Sequence, residues 1–172
     1  MSITVALILG MLGMIVLILV PIFLVAILTS QSRKRKRKNI INKLPSNVEF
    51  YAPMRINSER KNNAFFKFTS FECSGILYAH EGKLFFRGTK KQFELLEFNL
   101  DKVSIYWIGV QAQNGALQWF SIKGSDKGNF YFNLDTGMTI FNFSKSGETT
   151  KGIYEKIMNM KLKENIDDIG KV

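Results

Sequence analysis

ITVALILGMLGMIVLILVPIFLVAIL, residues 3–28, is followed after TSQS by RKRKRK at residues 33–38. These 26 positions without a charged side chain, ending at six adjacent cations, decide the architecture of the amino-terminal end. A helix of that length extends ~39 Å, enough to cross a ~30 Å hydrocarbon core with some tilt. Positive flanks are retained on the cytoplasmic side of a membrane. The expectation is one transmembrane helix over residues 1–29, its amino end outside and all that follows in the cytoplasm. A cleaved signal peptide fits poorly: its charge precedes a run of about 7–15 apolar residues and a small-residue cleavage site. Here the charge follows the run, and no such site precedes the block.

The same block explains the basic balance. The net charge is +10, yet residues 1–45 carry seven cations and no acids, leaving seventeen cations against fourteen acids beyond them. Arg33, Lys34, Arg35, Lys36, Arg37 and Lys38 are therefore candidates for contact with anionic lipid headgroups, each worth about 1 kcal/mol near the surface. Nucleic acid would call for cations spread over a folded face with interleaved aromatics, and none is expected as a partner. A single cysteine, Cys73, permits no intrachain disulfide, in keeping with a reducing compartment.

Within the span, Ala6, Gly10 and Gly13 fall at i, i+4 and i+7 on one helical face. Small residues so spaced allow close helix–helix packing. Pro21 is expected to kink the helix. Residues 30–63 read as a basic juxtamembrane segment and linker, with Pro45, Pro53 and the polar run Asn57–Asn63.

From Ala64 short apolar runs alternate with turn residues, which predicts strands. They cover Phe65–Leu77, Lys83–Arg87, Phe93–Leu100, Lys102–Ile108, Leu117–Ile122, Phe130–Leu134 and Thr139–Phe143. Glu81-Gly82 and Asn114-Gly115 mark tight turns, and Gly124 to Gly128 reads as a hairpin loop. Ile153, Ile157 and Met160, widened by Tyr154 and Met158, then predict an amphipathic helix of about four turns. Residues 164–172 read as a polar tail. The fold class is thus a membrane-anchored α+β chain, mainly β, with its domain over residues 64–163.

Seven antiparallel strands closed by one carboxy-terminal helix is similar to the pleckstrin-homology-like fold. The run Ser74-Gly75-Ile76-Leu77-Tyr78-Ala79-His80-Glu81-Gly82-Lys83-Leu84-Phe85-Phe86-Arg87-Gly88 resembles the first hairpin of GRAM and bacterial pleckstrin-homology domains. That resemblance implies a partly open barrel plugged by the helix, and a binding module in place of an enzyme. Phosphoinositide-binding members carry a K-xn-(K/R)-x-R motif across this hairpin. Tyr78 stands where its first Lys would be, and three residues separate Lys83 from Arg87. Lys83, Arg87, Lys90 and Lys91 remain a looser candidate patch for an anionic ligand.

No constellation for catalysis or metal binding is visible in the sequence. His80 is the only histidine and sits at a hairpin turn, Cys73 lies inside an apolar strand, and Glu94 and Glu97 would point to opposite sides of one strand. No phosphate-binding glycine motif and no nucleophile elbow occurs. Fifteen Phe fill a small β core, with Trp107 and Trp119 as candidates for a ligand face.

The expected function is non-catalytic and without a cofactor: a single-pass protein whose cytoplasmic domain binds a protein partner, as adaptor or subunit of a membrane complex. The alternative is a ligand-gated membrane effector, in which the barrel senses a nucleotide-type ligand and drives oligomerisation of the span. Rich Lys, Asn, Ile and Phe with few Pro suit an AT-rich genome, most simply a bacterium with this protein in its inner membrane.

Overall fold

The computed structural model describes residues 3–58, 71–111, 117–124, 128–136 and 147–169. Helix α1 spans Ile3–Ile41 and strand β1 spans Phe50–Ser58. The strands β2 (Cys73–His80), β3 (Lys83–Gly88), β4 (Leu96–Asn99), β5 (Ser104–Gln111), β6 (Leu117–Gly124) and β7 (Gly128–Leu134) follow, and helix α2 covers Thr150–Ile169. All seven strands belong to one antiparallel sheet ordered β4-β3-β2-β1-β7-β6-β5.

The linker expected over residues 30–63 is replaced by two ordered elements. Helix α1 continues through the basic block, because Lys and Arg are good helix formers and nothing breaks the helix before Ile41. β1 lies between β2 and β7, the middle of the sheet. Its signal is the alternation of Ala52, Met54 and Ile56 with Pro53, Arg55 and Asn57. Pro53 argued against a strand there, but it falls where the β7 pairing ends. Met54 is the last β1 residue in register with β7, and the Pro53 carbonyl accepts the Asp135 N–H at 2.8 Å. In an antiparallel strand the N and O of one residue point to the same side. The missing N–H therefore costs no ladder bond to β2.

Other boundaries move as well. The run Phe93–Leu100 divides into a 3-10 turn at Lys91–Phe93 and the short β4. Residues 65–70 of the first expected strand, the Asn114-Gly115 turn and the expected strand Thr139–Phe143 lie outside the described residues. The carboxy-terminal helix runs to Ile169, so most of the expected polar tail is helical.

The apolar core lies on one face of the sheet, from Met54, Ile56, Leu77, Leu84, Phe86, Phe120, Ile122 and Phe132, closed by Ile153 and Ile157 of α2. Phe98 of β4 lies 5.7 Å from Phe130 and 6.1 Å from Phe132 of β7, centroid to centroid, although three strands separate β4 from β7 in the sheet. The sheet is therefore curled over its core, with β4 and β5 as its outermost strands among the described residues. The expected partly open barrel is, among the described residues, a single sheet that does not close. The β2–β3 hairpin turns at Glu81 and Gly82 with φ of 50° and 70°, the left-handed pair of a two-residue turn. Gly75 faces Gly88 across the same hairpin, and a Cβ at Gly75 would meet the Arg87 carbonyl oxygen at 2.3 Å.

Helix α1 is long and apolar enough to cross a membrane. Met11, Leu17, Phe23 and Leu28 are all exposed, so its apolar residues are not spent on an internal core.

Candidate functional site: a buried arginine–aspartate cluster

The opposite face of the sheet carries a row of polar residues. Ser74 of β2, Arg55 of β1 and Asn133 of β7 stand in register across the three central strands, and all are buried. Asp135, one residue beyond β7, sits at the end of this row with its side chain fully buried. Its carboxylate gathers three side chains. Ser74 Oγ donates to Oδ2 at 2.7 Å, and Arg55 donates to Oδ1 through Nε at 3.2 Å and a terminal nitrogen at 3.1 Å. The third donor is Arg37, which bonds Oδ2 and also reaches Ser74 Oγ at 3.1 Å. Two guanidiniums thus share one carboxylate, one from the domain and one from the helix carrying the apolar segment.

Arg33, one turn before Arg37, points to the same place. The guanidiniums of Arg33 and Arg55 both lie 5.0 Å from the centre of the Phe71 ring, within cation–π range. Burial holds the Arg55 guanidinium below its ordinary range; Asp135 opposes that shift, and the charges of Arg33 and Arg37 add to it. Three cations therefore crowd around one carboxylate.

The cluster also fixes the second helix indirectly. Asn133 Nδ2 donates to the Gln118 carbonyl at 2.7 Å and to Thr150 Oγ1 at 3.3 Å, and the Leu134 N–H donates to the same hydroxyl at 3.2 Å. Thr150 is fully buried and opens α2. One polar row thus anchors the end of α1 and the start of α2.

The structure divides the expected lipid-contact block. Lys34, Arg35, Lys36 and Lys38 are exposed, Arg33 is half-buried, and Arg37 is 8 % exposed and engaged with Asp135. Arg37 is therefore engaged within the domain. The i, i+4 spacing of Arg33 and Arg37 puts them on one helical face, but nothing local marks which face meets the domain. Arg55 fell in the stretch read as linker, and Asp135, directly after the expected strand Phe130–Leu134, carried no local signal.

The residues of the second candidate patch lie along β3 and the 3-10 turn that follows it. Lys83 Nζ donates to Glu97 Oε1 at 2.7 Å, and Lys90 and Lys91 are exposed at the 3-10 turn, with Arg87 half-buried on β3. Gly10 and Gly13 have open space at their α-carbons, and Ala6 lies in the same helix. Trp119 is fully buried and offers no open ligand face, while Trp107 is half-buried and packs against Tyr154 of α2 at 5.5 Å. Cys73 is buried against the Ser74 carbonyl and the Thr89 hydroxyl. His80 ends β2 beside Glu81. Among the described residues no group of three or more His, Cys, Asp or Glu side chains is placed to hold a metal ion.

Compared with known proteins, the chain matches no protein-family model and no curated protein.

Proposed function

We propose that this chain is a non-catalytic, single-pass membrane protein whose cytoplasmic β domain binds a protein partner, as adaptor or subunit of a membrane complex. One observation carries the reading: Arg37, nine residues beyond the apolar segment, is buried in the domain against Asp135. A helix of that length rises ~13.5 Å, so the domain is held close to the membrane surface in a set orientation. Confinement of that kind raises the effective concentration of partners in the same plane. The exposed apolar surface of α1 supports a span, since soluble monomers rarely leave so large an apolar area uncovered.

Seven antiparallel strands followed by a helix is the order expected of a pleckstrin-homology-like domain, and it supports that assignment. The edges that β4 and β5 form among the described residues suit extended peptides, which can add a strand by main-chain hydrogen bonds. The amino end would lie outside, with Lys34, Arg35, Lys36 and Lys38 among anionic headgroups on the cytoplasmic side. The deciding experiment is the mass of the native complex, purified in mild detergent from its own membranes. A stoichiometric second protein supports the adaptor; a homo-oligomer or a monomer retaining a small molecule overturns it in favour of a ligand-gated effector.

A further inference from the structure

The six cations of the basic block do different work once the domain is docked. Three guanidiniums, from Arg33, Arg37 and Arg55, gather beside the single carboxylate of Asp135, and Arg33 and Arg55 share Phe71. Among the described residues, guanidiniums outnumber carboxylates in this cluster. Arg37 and Arg55 are both bonded to Asp135, whereas Arg33 Nε is buried and has no hydrogen-bond partner among the described residues. Leaving a buried donor unmade costs about 1–3 kcal/mol, which an anion reaching that guanidinium would recover.

Height along the helix narrows the choice of anion. Arg33 lies five residues past Leu28, a rise of ~7.5 Å from the apolar boundary. The headgroup layer on each side of a bilayer is about 5–7 Å deep. A guanidinium at that level meets lipid phosphate before any other concentrated anion, and it matches two phosphate oxygens in a planar fork. The exposed Lys34 and Lys36 reach the same layer only as mobile point charges.

We propose that the junction between α1 and the sheet is a binding site for the phosphate of one anionic phospholipid, held by Arg33 stacked on Phe71, with Arg37 and Arg55 supplying the surrounding positive charge. Such a site exists only when the domain is docked, because Phe71 belongs to the domain and Arg33 to the helix. The lipid bridges the two. This inference rests on α1 spanning a membrane, so the test must separate failure of the span from failure of the site.

The full chain is reconstituted in nanodiscs containing phosphatidylglycerol and phosphatidylcholine, and lipids retained after release into mild detergent are counted by native mass spectrometry. Wild type should retain one phosphatidylglycerol per chain. Arg33→Gln should lower that retention by about tenfold, the loss of one charge-assisted contact. Lys102→Gln with Lys151→Gln, both exposed cations of the domain, should leave it unchanged. If Arg33→Gln fails to fold, as judged by its thermal melt, Phe71→Leu removes the stacking platform and should reduce retention in the same way. Retention unaffected by the folded variant, or lost equally in the lysine variant, overturns the site. Displacement of the lipid by inorganic phosphate would assign the junction to a free anion and overturn the lipid. A chain that stays soluble without detergent would instead overturn the span.

Discussion

Arg37 and Asp135, 98 positions apart in the chain, form a buried ion pair that ties the end of α1 to the end of β7. The pair is not isolated, since Asp135 also accepts from Arg55 and Ser74. That sharing sets an order of damage. Arg37→Ala leaves Asp135 its bonds from Arg55 and Ser74 and should cost about 1–3 kcal/mol. Asp135→Ala removes the carboxylate that two buried guanidiniums share and should cost about 3–5 kcal/mol. Urea unfolding of the full chain in detergent, followed by fluorescence of the buried Trp119, measures both. Equal losses, or a larger one for Arg37→Ala, would contradict the shared-carboxylate arrangement.

The Gly75–Gly88 pair makes a second, purely steric prediction. A Cβ at Gly75 would meet the Arg87 carbonyl oxygen at 2.3 Å and the Gly88 α-carbon at 2.8 Å, both backbone atoms that no rotamer change can move. Gly75→Ala should therefore destabilise by about 1–3 kcal/mol, the usual cost of overpacking, although alanine is ordinarily the better residue in a strand. An unchanged unfolding midpoint would mean that the hairpin relaxes freely here.

How much of this was legible follows from the range of each interaction. Local patterns gave the apolar segment, the β2–β3 hairpin with its Glu81-Gly82 turn, the β6–β7 hairpin and the stripe of Ile153 and Ile157 on α2. β1 was lost because Pro53 and the charge of Arg55 masked an alternation of Ala52, Met54 and Ile56. Arg55 is tolerated at the centre of a sheet with Asp135 paired against it. That partner lies 80 residues away. The division of the basic block had no local signal either: six neighbouring cations look alike until a buried carboxylate selects one of them.

Helix α2 should be separable from the rest of the domain. Ile157 is fully buried and Ile153 nearly so, while Tyr154 rests against Trp107 of β5 and Phe120 of β6. Ile157→Ala should cost about 2–5 kcal/mol, as for other large-to-small changes in a packed core. Trp107, half-buried beneath Tyr154, should shift its emission to the red if the helix lifts before the sheet unfolds. One transition, with Trp107 and Trp119 changing together, would show that α2 and the sheet unfold as a unit.

Lys83 and Glu97 provide the contrasting case. Their 2.7 Å contact holds the Lys83 ammonium above its ordinary range, through the hydrogen bond first and the Glu97 charge second. A base raised in the folded state contributes below its unfolded pKa and loses that contribution as pH climbs through the folded value. Any effect therefore persists at neutral pH and fades only in strong alkali. Both side chains are near half exposed, where such pairs contribute little. Lys83→Ala should leave the thermal midpoint at pH 7 within the reproducibility of the melt, and a clear drop would mean the contact is less solvated than its exposure indicates.

Orientation in the membrane gives the last prediction, and it separates the making of the protein from its folded state. The positive-inside effect acts while the chain inserts, before Asp135 has been placed against Arg37, so all six cations of residues 33–38 count at that stage. Protease added to the cytoplasmic face of sealed vesicles should digest the β domain completely, and protease on the other face should leave it intact. Replacing Arg33 to Lys38 with glutamine removes six of the seven cations in residues 1–45 and should give a mixture of orientations. Arg37→Gln alone should insert as wild type, because five cations of the block remain, yet its domain should be cut faster, since the docked junction is lost. A wild-type chain digested equally from both faces would contradict the assigned orientation, and one protected from both would contradict an accessible cytoplasmic domain.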